Sequence, residues 1–192
     1  EKFNLVFSDN VYLKYAVKFD GVEDSAITED NIGMMFWTEA QSDYTLGNQA
    51  HTAPVTGYTT ISGEKYYTFE YRELTAKQMT DEFYSVAYID LDGARYYSSP
   101  EKYSVLEYAL AKLGKTGTAT TNAKLITLLE DMLRYGASAQ DYFGYETDRL
   151  ATAEYYLLEV VGGTLADGMS DGLYLSTDSV VITAAEENEG YK

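Results

Sequence analysis

Apolar and polar residues alternate with a period of two in several short runs over about the first hundred positions, which is the pattern of half-buried β-strands. The alternation is cleanest at residues 11–19. There Val11, Leu13, Tyr15, Val17 and Phe19 share one side, expected to face a core, while Tyr12, Lys14 and Lys18 are expected to face water. Residues 3–7, 32–38, 65–71, 83–91 and 94–98 are strands by the same criterion. Short strands with polar connections predict a mainly β fold, an antiparallel, immunoglobulin-like β-sandwich of about six to eight strands. Asp92-Gly93 supplies the positive φ angles of a type I′ hairpin turn, and Ser62-Gly63 is a second such signal. Between the strands lie an acidic loop, 20–31, and a long polar connection, 41–57, the kind of segment on which such domains carry function.

The period changes after Pro100. Ser104 and Glu107 form a capping box, Tyr103 and Tyr108 stand at the spacing of a hydrophobic staple, and Leu106, Leu110 and Leu113 make one stripe. After a Gly/Thr connection, Leu125, Leu128, Leu129, Met132 and Leu133 recur at three and four residues, which predicts a second helix over about 122–142. The two helices, at about 103–143, form an α-helical hairpin expected to cover the sheet. Within the second, Gly136, Ala137 and Ala139 allow close approach to a neighbour, and Tyr142 and Phe143 are expected to seal that contact. From Tyr155 the pattern returns to β, with short strands at 156–161, 172–175 and 179–183. The chain is thus divided at 1–152, a sandwich with its helical hairpin, and 153–192, a short β tail.

Three stretches together resemble an uncharacterised module that recurs in multidomain secreted and surface proteins of gut clostridia. They are residues 65–91 with Leu74-Thr75-Ala76-Lys77-Gln78-Met79-Thr80-Asp81, then Tyr103-Ser104-Val105-Leu106-Glu107-Tyr108, then residues 132–143 with Tyr135-Gly136-Ala137-Ser138-Ala139-Gln140. The tail, from Gly162-Gly163-Thr164-Leu165-Ala166-Asp167-Gly168 through Val180-Val181-Ile182-Thr183-Ala184 to Gly190-Tyr191, resembles the opening of an internalin-type B repeat, a small β module used as a stalk. The resemblance implies an extracellular protein, secreted or cell-wall associated, with covalently linked neighbouring domains. It carries no catalytic residues onto this chain.

Composition narrows the chemistry. Of 192 residues, 31 are acidic and 14 basic, a formal charge of −17 that repels nucleic acid and anionic lipid alike. There is no cysteine, which removes thiolate catalysis, disulfides and sulfur-ligated metals. No run approaches the roughly 18 apolar residues of a membrane helix, so membrane insertion is not expected. The strand-like start and the ending at Gly190-Tyr191-Lys192 are expected to be cuts from a larger parent, with any export signal or anchor elsewhere.

His51 is the single histidine, stands in the polar stretch 47–52 without a nucleophile motif, and is expected to be a solvated loop residue. Two carboxylates could run glycoside hydrolysis, but nothing marks a buried, opposed pair among so many. The acidic loop 20–31 and Asp90-Leu91-Asp92-Gly93 leave calcium open as an alternative to no cofactor, although neither matches an EF-hand. The 20 tyrosines are the more informative feature, because a phenol presents a flat apolar face and a polar tip, to which a sugar ring can lay its C–H face. Tyr66 stands opposite the apolar face formed by Tyr67, Phe69 and Tyr71; Tyr44 and Tyr58 lie in or beside the long loop; Trp37 is a core anchor or a ligand platform. Tyr84, Tyr88, Tyr96 and Tyr97 are further tyrosines placed on or after strands. The expected function is a non-catalytic extracellular module that binds a polysaccharide or surface glycan through Tyr44, Tyr58, Tyr66 and Trp37. A structural spacer without a ligand is the rival, and a carboxylate-dependent glycoside hydrolase the third reading.

Overall fold

A computed structural model describes residues 2–8, 10–45, 47–49 and 51–158, and beyond them 163–166, 169, 172–175, 180 and 182–184. Eight strands form one antiparallel sheet: β1 (Lys2–Phe7), β2 (Val11–Val17), β3 (Ile32–Trp37), β4 (His51–Ile61), β5 (Glu64–Tyr71), β6 (Phe83–Leu91), β7 (Ala94–Tyr97) and β8 (Glu101–Tyr103). The order is β1-β2-β5-β4-β3-β6-β7, with β8 on β6 beside β7. This open path bears out an antiparallel, β-rich class with two helices; it does not confirm an immunoglobulin-like sandwich.

The sheet curls. Tyr15 on β2 and Phe36 on β3 are separated by two strands, yet their ring centroids are 5.3 Å apart, and Phe36, Tyr71 and Phe83 continue the aromatic interior at 5.2 and 5.1 Å. Phe3 on β1 packs on Tyr103 of β8 at 3.8 Å, so the two ends of the path approach each other. Helices α1 (Val105–Lys112) and α2 (Ala123–Phe143) contribute Leu106, Leu110, Leu129 and Leu133 to the same buried cluster. The capping box at Ser104 and Glu107 is made in both directions, Asn122 caps α2 by accepting from Lys124 N and Leu125 N, and Gly144 ends it in the left-handed region.

Both predicted turns form, with Asp92 and Gly93 at φ of 50° and 79° and Ser62 and Gly63 at 54° and 84°. The long polar connection is a correction, since most of its second half is strand β4. This strand changes partner midway, pairing with β3 over residues 51–54 and with β5 over 55–61. Pro54 comes where one ladder is in use, and a register shift between Val55 and Gly57, with Gly57 at φ 142°, inserts Thr56 as an extra residue. Tyr12 is a second correction: it is buried, because the Arg72 guanidinium lies 3.9 Å over its ring. His51 is a third, standing on β4 opposite Phe36 with Nδ1 3.2 Å from Glu73.

The close approach of α2 is made where its small residues predict it, but different neighbours seal it. A Cβ on Gly136 would lie 2.6 Å from Met79 Cγ and 3.3 Å from Ala151 Cβ, whereas Tyr142 is 82% exposed and Phe143 is also exposed. Gly136→Val is therefore expected to cost about 2 kcal/mol by overpacking. Gly136→Ala should cost less, since alanine recovers about 1 kcal/mol of helix propensity. Urea unfolding of the two variants checks the order; equal stability to wild type for Val would contradict the contact.

Beyond Ala151 the described tail holds β9 (Tyr155–Leu158) paired with β11 (Gly172–Leu175), and β10 (Gly163–Leu165) paired with β12 (Ile182–Ala184). Tyr155 belongs to the main buried cluster. Residues 159–161, Gly162, Asp167-Gly168, Asp171, Ser179, Val181 and Gly190-Tyr191, which carry parts of the strand and repeat expectations, lie outside the described residues.

Candidate functional site

The four aromatic residues expected to bind do not form one platform. Trp37 is buried with Met35 and Val86 in a second small core on the outer face of the sheet, and its Nε1 donates to Asn48 Oδ1 at 3.1 Å. The loop after β3 folds back over it. Tyr44 packs edge-on against Trp37 at 5.1 Å and stacks with Tyr84 at 5.7 Å, while its hydroxyl accepts from Gln41 N. These contacts hold the loop in place, with Trp37 buried and Tyr44 half-buried. Tyr66 is half-buried with Lys2 Nζ 5.2 Å from its ring centre. Tyr58 is 69% exposed, but it pairs with Tyr67 across the strands and so points to the opposite face from Tyr66.

A different pair of tyrosines lines an open groove. Val17, Phe19 and Val22 on one side and Ala87, Ile89 and Leu91 on the other enclose a cavity of about 490 Å³, whose mouth carries Tyr96 and Tyr97. Tyr96 is 57% exposed and Tyr97 39%. The Asp92-Gly93 turn reverses the chain so that Tyr96 pairs with Ile89 and shares its groove-facing side, while Tyr97 pairs with Tyr88 and turns its ring to the opposite face. Polar groups stand on the rim: Lys18, bridged to Asp20 at 2.9 Å, and Ser98, whose Oγ accepts from Ala87 N. An apolar floor with exposed phenols and a few polar groups at the edge is the makeup of a shallow sugar or small-ligand site. The turn and the tyrosine doublet are visible in sequence; the contribution of Phe19, from the segment that follows β2, requires the curl.

A second exposed aromatic surface runs along α2. Leu128, Tyr135 and Tyr142 recur at seven residues on its outer face, with Phe143 packed edge-on against Tyr142.

Some of the acidic candidates are engaged. Asn31 accepts from Thr28 N and donates to Asp90 O, tying the 20–31 loop to β6, and Asp90 accepts from Arg95 Nε and Nη2 at 2.7 and 2.6 Å. Glu23, Asp24, Glu29, Asp30 and Asp92 are exposed. Glu82 is held below the usual carboxylate range by hydrogen bonds from Lys102 Nζ and Tyr84 OH. A general acid for glycoside cleavage needs the opposite shift. No helix among the described residues is long and apolar enough to cross a membrane.

No protein-family model, no curated protein and no solved structure matches this chain.

Proposed function

We propose that the chain is a non-catalytic module of an extracellular protein and that it binds a polysaccharide or surface glycan through the groove between Phe19 and Tyr96. The observation that carries this reading is the exposed Tyr96 ring over an apolar floor, since a spacer has no reason to keep such a patch. The sequence resemblance at 65–91, 103–108 and 132–143 supports the extracellular setting and linked neighbouring domains. No cofactor enters the reading. The curl, with Tyr15 against Phe36 and Tyr71 against Phe83, supports a two-layer, sandwich-like arrangement of the two halves of the sheet. Single-site affinity is expected to be weak and raised by repetition in the parent.

A glycan-array screen of the purified chain tests it. Tyr96→Ala is expected to weaken binding about tenfold, since tenfold corresponds to about 1.4 kcal/mol, within reach of one aromatic contact. Tyr135→Ala with Tyr142→Ala should leave it unchanged. Failure to bind any plant, host or wall glycan would favour the structural spacer.

A further inference from the structure

Away from the groove, where α2 ends, a polar cleft of about 410 Å³ is lined by Glu39, Asp81, Glu82, Glu146, Tyr84 and Tyr145, with Thr38 and Arg149 at its edge. Four carboxylates surround it. Glu82 is neutralised by Lys102 at 2.8 Å; Glu39 and Glu146 are exposed, and no ion pair to either is made among the described residues. Asp81 differs from all of them. It is only 8% exposed, and its Oδ2 accepts from Tyr145 OH at 2.9 Å and Gln78 Nε2 at 3.0 Å, while Oδ1 is buried with no hydrogen-bond donor among the described residues. An orphaned carboxylate oxygen is a costly feature that a ligand's donor would relieve.

The donor set of the missing partner follows from the walls. Among the described residues no three acidic or histidine side chains converge at metal-binding spacing. An ammonium group on an organic frame fits these walls, because it can donate to Asp81, be attracted by Glu39 and Glu146, and lie against a tyrosine ring. Tyr145 already takes a cation this way, with Lys77 Nζ 4.6 Å from its ring centre. Arg149 and the Thr38 hydroxyl remain to meet hydroxyl oxygens on the same ligand.

We infer that this cleft is a second binding site, for a primary ammonium group carried on a sugar, and that the preferred glycan contains unacetylated amino sugars. The ammonium is argued from the cleft alone; the sugar rests on the glycan reading above. An acidic protein of charge −17 suits a cationic polymer.

Calorimetric titration with glucosamine oligomers, their N-acetylated equivalents and neutral gluco-oligosaccharides tests the inference, alongside ethylammonium followed by chemical shifts near Asp81. The expected result is at least a tenfold preference for the free amine. Asp81→Asn should abolish that preference, and Glu39→Gln with Glu146→Gln, on the exposed rim where folding is not at stake, should reduce it about threefold. Equal affinity for acetylated oligomers, or a preference that survives both sets of substitutions, overturns it. If neutral glycans bind through Tyr96 without any amine preference, this inference fails while the groove reading stands. If ethylammonium shifts the Asp81 region but no oligomer binds, the ammonium site stands and the sugar assignment fails.

Discussion

Gln140→Leu is expected to lower the unfolding free energy by about 3–5 kcal/mol, a larger loss than most single substitutions produce. The side chain is fully buried at the end of α2 and ties together three separate segments. Its Nε2 donates to Thr80 Oγ1 and Arg149 O, both at 3.0 Å, with a longer contact to Glu146 O, and its Oε1 accepts from Ala151 N at 2.8 Å. Leucine fills nearly the same volume, so the cost comes from polarity. The Ala151 amide and the Arg149 carbonyl would be left buried without partners, at about 1–3 kcal/mol each. Thr80→Val removes one of these bonds and should cost about 1 kcal/mol. Urea denaturation measures both; a Gln140→Leu loss below about 1 kcal/mol would mean that the segment relaxes to admit water.

Thermal stability should fall steeply as pH rises above 10. Burial pushes the phenols of Tyr71, Tyr84, Tyr103 and Tyr108 upward, and Tyr145, desolvated and donating to Asp81, is pushed up to about 12. An unfolded tyrosine titrates near its ordinary value of about 10. Because the folded state holds these protons more tightly, their contribution is fully present below about pH 10 and is lost as pH climbs through the folded values. Circular dichroism melts from pH 8 to 12, with phenolate absorbance recorded in parallel, should show the melting temperature dropping as phenolate appears. Tyr145→Phe should flatten the upper part of that decline. A melting temperature indifferent to phenolate formation would rule out buried phenols as the cause.

Much of the architecture is legible in the order of residues. Regular alternation marks β2, β5 and β6, and the helix ends are written in local chemistry at Ser104, Glu107, Asn122 and Gly144. β4 is hidden for a specific reason: the extra Thr56 reverses the alternation midway, and Pro54 and Gly57 resemble loop residues to any reading that assumes one phase and one partner. The proposed binding surface is legible only as a residue type. Tyrosine abundance points to aromatic recognition, but whether a given ring is exposed depends on what folds over it. Trp37 and Tyr44 are withdrawn by a loop held through Asn48 and Gln41, and Tyr96 is left open because the turn sets it at the sheet's end. Gln140 reads as a polar residue near a helix end. Its role is invisible without the return of residues 146–151 to the helix, a contact of tertiary structure.

The approach of β1 to β8 bears on how this protein behaves at high concentration. Strand edges with free amides and carbonyls are templates for pairing between molecules. At one end of the sheet, β1 is crossed by Phe3 on Tyr103 and by the bond from Tyr108 OH to Asn4 Oδ1, and the opposite border is broken into β7 and β8, of four and three residues. Among the described residues, one border is thus crossed by side chains from β8 and α1 and the other is made of short strands. Crossed and shortened borders of this kind disfavour edge-to-edge pairing between molecules.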